Sequence, residues 1–132
     1  MASAQPRIFL IDDDASVRKA LHRLLRSAGY EVEAFDGACA FLARSAPVLP
    51  ACLVLDIRMP GMSGIDLQKA IQGTSHDLPI VFITGHGDED ERNVAVASGA
   101  VDVLAKPLDQ DDLIEAIERG LKRCRPVQPR RQ

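Results

Sequence analysis

Short apolar runs alternate along this chain with stretches in which apolar residues recur every three or four positions. Ile8-Phe9-Leu10-Ile11, Leu53-Val54-Leu55, Ile80-Val81-Phe82-Ile83 and Val101-Asp102-Val103-Leu104-Ala105 are runs of the first kind. Brief β-branched and aliphatic runs of this length read as buried strands. The pattern predicts strands over 7–12, 31–35, 52–56, 79–84 and about 101–105, the second being short and less buried. Between them lie helical patterns. Asp14 can cap a helix whose Val17, Leu21, Leu24 and Leu25 share a face, with Gly29 as its left-handed terminus. Asp36 can cap a second helix carrying Cys39, Phe41 and Leu42, and Pro47 and Pro50 mark the loop that follows. Met59-Pro60-Gly61-Met62-Ser63-Gly64 is rich in turn residues. Ser63 and Asp66 fit a capping box opening a third helix with Leu67, Ala70 and Ile71 on one face. Asp88 can cap a fourth helix ending at Gly99, and the last runs from Asp109 to about Arg123 with Ile114, Ile117 and Leu121 aligned.

Five strand-helix units in sequence, joined by right-handed crossovers, make a doubly wound parallel sheet the economical α/β solution. In such a sheet ligands bind outside the carboxyl ends of the strands. Four of the runs end there on polar residues: Asp12-Asp13-Asp14, Asp56, Thr84, and Lys106-Pro107. Acids, a hydroxyl and an ammonium are therefore expected together at one edge. Carboxylates hold hard divalent cations, and ammonium and hydroxyl groups hold phosphoryl oxygens.

Composition narrows the classes. The chain has 132 residues, 46% hydrophobic and 27% charged. That is one domain with enough length for a real core. A net charge of −3 gives no general attraction to nucleic acid or anionic membranes. Cys39, Cys52 and Cys124 are scattered, without the spacing of a zinc site or a disulfide framework, and read as buried inert thiols. No apolar run approaches a membrane span and no signal-peptide core is present, so a cytoplasmic protein is expected. Residues 1–6 read as a lead-in, 7–123 as the domain, and 124–132, with prolines and arginines, as a tail or the start of a linker.

Each candidate residue has a plain structural alternative. Asp14 is expected to be a helix cap and nothing more. Asp12 and Asp13 follow a buried strand, where adjacent unpaired carboxylates are costly; a divalent cation held by Asp13 and Asp56 resolves the repulsion. Asp56 could merely start a turn, but its place after a buried run suits a nucleophilic carboxylate. Thr84 and Lys106 carry weight only jointly, at the ends of two further runs. His22 and His76 are expected to be solvated or in a loop, and His86 to flank the site without a catalytic role.

These residues resemble the receiver domain of two-component response regulators over 7–123. The matching motifs are Ile11-Asp12-Asp13-Asp14, Leu55-Asp56 through Ser63-Gly64, Ile83-Thr84-Gly85-His86-Gly87, and Gly99-Ala100 followed by Lys106-Pro107. The Asp56–Gly64 and Thr84–Gly87 segments look most like the FixJ-type branch, whose receivers precede a LuxR-type helix-turn-helix domain. The resemblance implies a flavodoxin-like (βα)5 sandwich with strand order 2-1-3-4-5. It implies that Asp56 is the phosphoacceptor and that Asp13 binds Mg²⁺ directly, with Asp12 acting through water and the Arg58 carbonyl as a further ligand. Lys106 would pair with the phosphoryl group, Thr84 would move to hydrogen-bond it, and the Lys106-Pro107 peptide would be cis. At the switch position three residues before the lysine, where an aromatic is common, this chain has Val103.

The expected function is a phospho-switch for transcription control. A sensor histidine kinase would be the donor, and a homodimer would form through the fourth helix, fifth strand and fifth helix. Self-phosphotransfer and autodephosphorylation would be the only chemistry, with no membrane association and no DNA binding by this fragment. Two other classes compete. A haloacid-dehalogenase-type phosphatase would use Asp12 as nucleophile and Asp14 as acid, but leaves Asp56 and its Met-Pro-Gly loop unexplained. The other is an interaction module without phosphorylation.

Overall fold

Every expected strand forms, and each pairs in parallel with its neighbours. The computed structural model describes residues 5–85 and 89–124. Its elements are β1 (Arg7–Ile11), α1 (Ala15–Ser27), β2 (Glu31–Phe35), α2 (Ala38–Ala43), β3 (Ala51–Asp56), α3 (Gly64–Ile71), β4 (Ile80–Thr84), α4 (Glu89–Ala97), β5 (Asp102–Ala105) and α5 (Gln110–Cys124). The sheet order is β2-β1-β3-β4-β5, the expected flavodoxin-like topology.

The two-residue period of the strands divides the core. Phe9, Ile11, Leu53, Leu55, Ile80 and Phe82 face one side, where Ala38 and Phe41 of α2, Leu67 and Ile71 of α3 and Ala95 of α4 cover them. Ile8, Leu10, Cys52, Val54, Val81 and Ile83 face the other, against Leu21 and Leu25 of α1 and Leu113, Ala116 and Ile117 of α5. Each fully buried large side chain contributes about 1.5–3 kcal/mol. Central β3 is buried along its whole length, whereas edge strand β2 is only half-buried.

Helix ends follow local chemistry, with exceptions. Asp14 Oδ1 accepts from the N–H groups of Ser16 and Val17 at 2.8 and 3.2 Å, and Gly29 takes φ +99° after the last turn of α1. The Ser63–Asp66 capping box forms in both directions. Asp36 does not cap α2; Gly37 holds the cap position with no side-chain bond. With Ala38 and Phe41 defining its inner face, α2 turns Cys39 outward, so that thiol is exposed while Cys52 is buried. On α3, Gln68 is buried in place of Ala70, and the seam of α5 is centred on Leu113, Ala116 and Ile117, with Ile114 and Leu121 at its margin. The Lys106-Pro107 peptide is cis, as is Leu49-Pro50. The expected cap Asp88, His86, the side chain of Cys124 and the tail 125–132 lie outside the described residues.

Candidate acidic site at the carboxyl ends of the strands

Strand register brings the polar run-ends together. Ile11 is opposite Leu55, Asp56 opposite Ile83, and Thr84 opposite Ala105. Backbone bonds just beyond the strands continue the alignment: Ile57 N–H donates to Ile83 O at 3.0 Å, and Lys106 N–H to Thr84 O at 2.9 Å. Asp12, Asp56, Thr84 and Lys106 thus crown β1, β3, β4 and β5, with Asp13 beside Asp12. Asp12, Asp56 and Thr84 are buried, and Asp13 is exposed.

One carboxylate oxygen from each of Asp12, Asp13 and Asp56 lies within 4.8 Å of the others. Asp12 Oδ1 accepts from the Asp14 N–H at 2.8 Å, but its buried Oδ2 has no hydrogen-bond partner. Lys106 Nζ stands 3.9 Å from that orphan oxygen, an ion pair beyond hydrogen-bond reach. Asp56 Oδ1 accepts from the Arg58 N–H at 3.1 Å. Burial pushes both Asp12 and Asp56 above the ordinary carboxylate range, against the lowering effects of those backbone bonds and of Lys106. Three carboxylate oxygens this close together, with a buried oxygen of Asp12 left unsatisfied, fit the needs of a hard divalent cation.

In the unphosphorylated chain the ammonium of Lys106 forms its ion pair with Asp12 and also lowers the proton affinity of Asp56. Asp12, nearly inaccessible to water, is the anion that gains most from a nearby cation. Val103 is buried in the core cluster beneath α4, so no large side chain occupies that position. His76 lies in the loop after α3, as expected, and is half-buried: its ring packs edge-on against Phe41, and Nε2–H donates to Arg44 O at 2.6 Å. It serves the α2 loop. His22 is half-buried on α1.

Sequence reasoning missed the supports. Arg18 Nη1 donates to Asp12 O at 2.7 Å, holding the chain where the acids emerge. Gly64 lies so close beneath β3 that a Cβ there would stand 2.5 Å from Asp56 O. The one available signal was a glycine directly after a capping serine. Arg58 reaches Glu91 of α4 at 3.2 Å, a contact between residues 33 positions apart that no local pattern reveals.

The geometry agrees with comparison to known proteins. Residues 8–118 match the response regulator receiver domain. Nodulation protein W of Bradyrhizobium diazoefficiens is 42% identical over 124 residues, covering 94% of this chain and 55% of that protein. The transcriptional regulatory protein FixJ of the same organism is 43% identical over 120 residues, covering 91% of this chain and 58% of FixJ. Among solved structures, the response regulator StyR superposes with a TM-score of 0.84 at 51% identity, covering 92% of this chain and 61% of StyR. FixJ-N superposes with a TM-score of 0.85 at 36% identity, covering 96% of this chain and 99% of that one. The chain spans about half the length of the curated relatives it matches. By sequence, fold and the placement of its acids, the chain belongs to the receiver-domain family of two-component response regulators.

Proposed function

We propose that Asp56 accepts a phosphoryl group with the help of Mg²⁺, and that this switches an output surface of a transcription regulator. The observation that carries the reading is the Asp12–Asp13–Asp56 cluster, with the unsatisfied buried oxygen of Asp12 facing Lys106 at the carboxyl ends of the strands. Asp12, Asp13, Asp56 and the Arg58 carbonyl would hold the ion. A bound Mg²⁺ offsets the charge that builds on the transferring phosphoryl oxygens. The protein's own groups do the rest. The backbone N–H of Arg58 fixes Oδ1 of Asp56, orienting the carboxylate for in-line attack on phosphorus. The P–N bond of a phosphohistidine on a sensor kinase breaks as the new P–O bond forms. Lys106 turns from Asp12 to the phosphoryl oxygens, and the Thr84 hydroxyl donates to one of them. The chain is its own substrate, so it acts as a switch and not as an enzyme with turnover, in the cytoplasm where such kinases present their phosphohistidine.

Phosphorylation adds about 1.5–2 negative charges and three acceptor oxygens. The responding surface is α4, β5 and α5, through which two copies pair; Val94 and Val96 of α4, exposed at 43% and 52%, support that choice. With Val103 in place of an aromatic, coupling relies on backbone movement after β4. A DNA-binding domain of LuxR type after residue 132 carries the output, and residues 1–132 alone do not bind DNA.

Thermal unfolding tests the ion. Mg²⁺ at a hundredfold excess over its dissociation constant should stabilise the fold by about 2.7 kcal/mol. Asp13→Ala should remove most of that gain. A melting temperature indifferent to millimolar Mg²⁺ in the native chain would refute the metal assignment.

A further inference from the structure

α4 is tied to its surroundings near both ends, by different kinds of contact. Near its C-terminal end, side chains from α3 and α5 reach backbone carbonyls: Gln68 Nε2 donates to Ala95 O at 3.1 Å, Gln72 Nε2 to Ser98 O at 3.0 Å, and Arg123 Nη1 to Gly99 O at 2.9 Å. Ala95, the buried residue of the helix, lies toward the same end. The first turn instead carries Glu89, Asp90 and Glu91. These acids suit the helix dipole but give no apolar anchor. There an ion pair ties the helix down: Arg58 Nη2 lies 3.2 Å from Glu91 Oε1, with the arginine side chain 55% exposed. The same Arg58 donates its backbone N–H to Asp56 Oδ1. One residue thus spans from the proposed phosphoacceptor to the first turn of α4.

We infer that Arg58 is a positioning residue that latches α4 in the unphosphorylated state. The inference rests on Asp56 being the phosphoacceptor. While Asp56 is unmodified, the guanidinium holds the first turn of α4 against the loop after β3. A phosphoryl group on Asp56 presents more charge than Glu91 and three oxygens suited to a guanidinium fork, so Arg58 leaves Glu91 for it. The carboxylates of the first turn are repelled by the same new charge. The N-terminal end of α4 is released while its C-terminal end stays pinned, and the helix swings about that end. A half-exposed ion pair is a weak restraint, which suits a switch: its loss shifts the balance between the two positions of α4 by about two- to fivefold.

Amide hydrogen exchange of residues 92–95 in the 132-residue chain reads the latch directly. Before phosphorylation, Glu91→Gln and Arg58→Ala should each speed exchange by about two- to fivefold. The double variant should go no further, and Arg58→Lys should recover part of the protection. After treatment with acetyl phosphate and Mg²⁺, wild type should rise to the level of Glu91→Gln, and Glu91→Gln itself should change little. Unchanged exchange in the unphosphorylated single variants, or additive effects in the double, overturns the latch. Wild type that carries the phosphoryl group by intact mass yet exchanges as before overturns the release step. A chain that takes no phosphoryl group on Asp56 overturns the underlying reading instead, and the unphosphorylated variants still decide the ion pair.

Discussion

Asp12 has a buried oxygen with no hydrogen-bond partner, and Asp56 is buried beside it. Burial raises the proton affinity of both carboxylates in the folded chain. The folded state therefore holds protons more tightly than the unfolded state, and the stability contributed by these groups falls as pH rises through the interval between their unfolded and folded values. Metal-free protein should gain stability on mild acidification from neutral pH. Glu33 opposes that gain at lower pH, because a hydrogen bond from Arg44 holds its carboxyl below the usual range and its contribution is lost as pH falls. Asp12→Asn keeps the shape, retains an oxygen for the Asp14 N–H and removes a buried charge that repels Asp13 and Asp56. In chelator at neutral pH it should stabilise the fold by about 1–2 kcal/mol, several degrees in melting temperature. The advantage should shrink on acidification and reverse when Mg²⁺ is supplied. A lower melting temperature for Asp12→Asn in chelator would contradict the assigned cost of burying that charge.

Among the elements, α3 sets the tightest tolerance. Its first residue, Gly64, donates its N–H to Ile57 O at 2.8 Å and leaves no room for a side chain: a Cβ would meet Asp56 O at 2.5 Å and both Ile57 Cα and Phe82 Cε1 at 3.0 Å. Gly64→Ala must push α3 away from the end of β3, at about 1–3 kcal/mol. Gly37→Ala, at a position with extended backbone and open space, should stay within about 0.5 kcal/mol of wild type. Denaturant titration of the two variants checks the contrast, and equal midpoints would contradict it. What was legible in the sequence follows the same division. Strands declared themselves because buried parallel strands need uninterrupted apolar runs, and caps at Asp14 and Ser63 because their side chains bond within three residues. Asp36 and Cys39 misled because a helix as short as α2 has too few residues for its face to be read from spacing. The supports of the site were not legible. Arg18, Gly64 and the Arg58–Glu91 pair act through contacts that exist only once β1, β3 and α4 are side by side.

At the scale of the molecule, one sheet separates two cores and gathers at its carboxyl edge groups drawn from four strands. None of those groups has a special role without the others: one buried oxygen of Asp12 lacks a hydrogen bond, Lys106 leans on Asp12, and Asp56 is oriented by the backbone that follows it. The competing readings differ in which carboxylate would become phosphorylated. A phosphatase-like site would modify Asp12; a receiver switch modifies Asp56. The direct test is to treat the chain with acetyl phosphate and Mg²⁺, trap any acyl phosphate by borohydride reduction, and map the reduced residue by peptide mass spectrometry. The account predicts a single Mg²⁺-dependent modification at Asp56, absent from Asp56→Asn. Reduction at Asp12 or Asp13, or full labelling of Asp56→Asn, would contradict it.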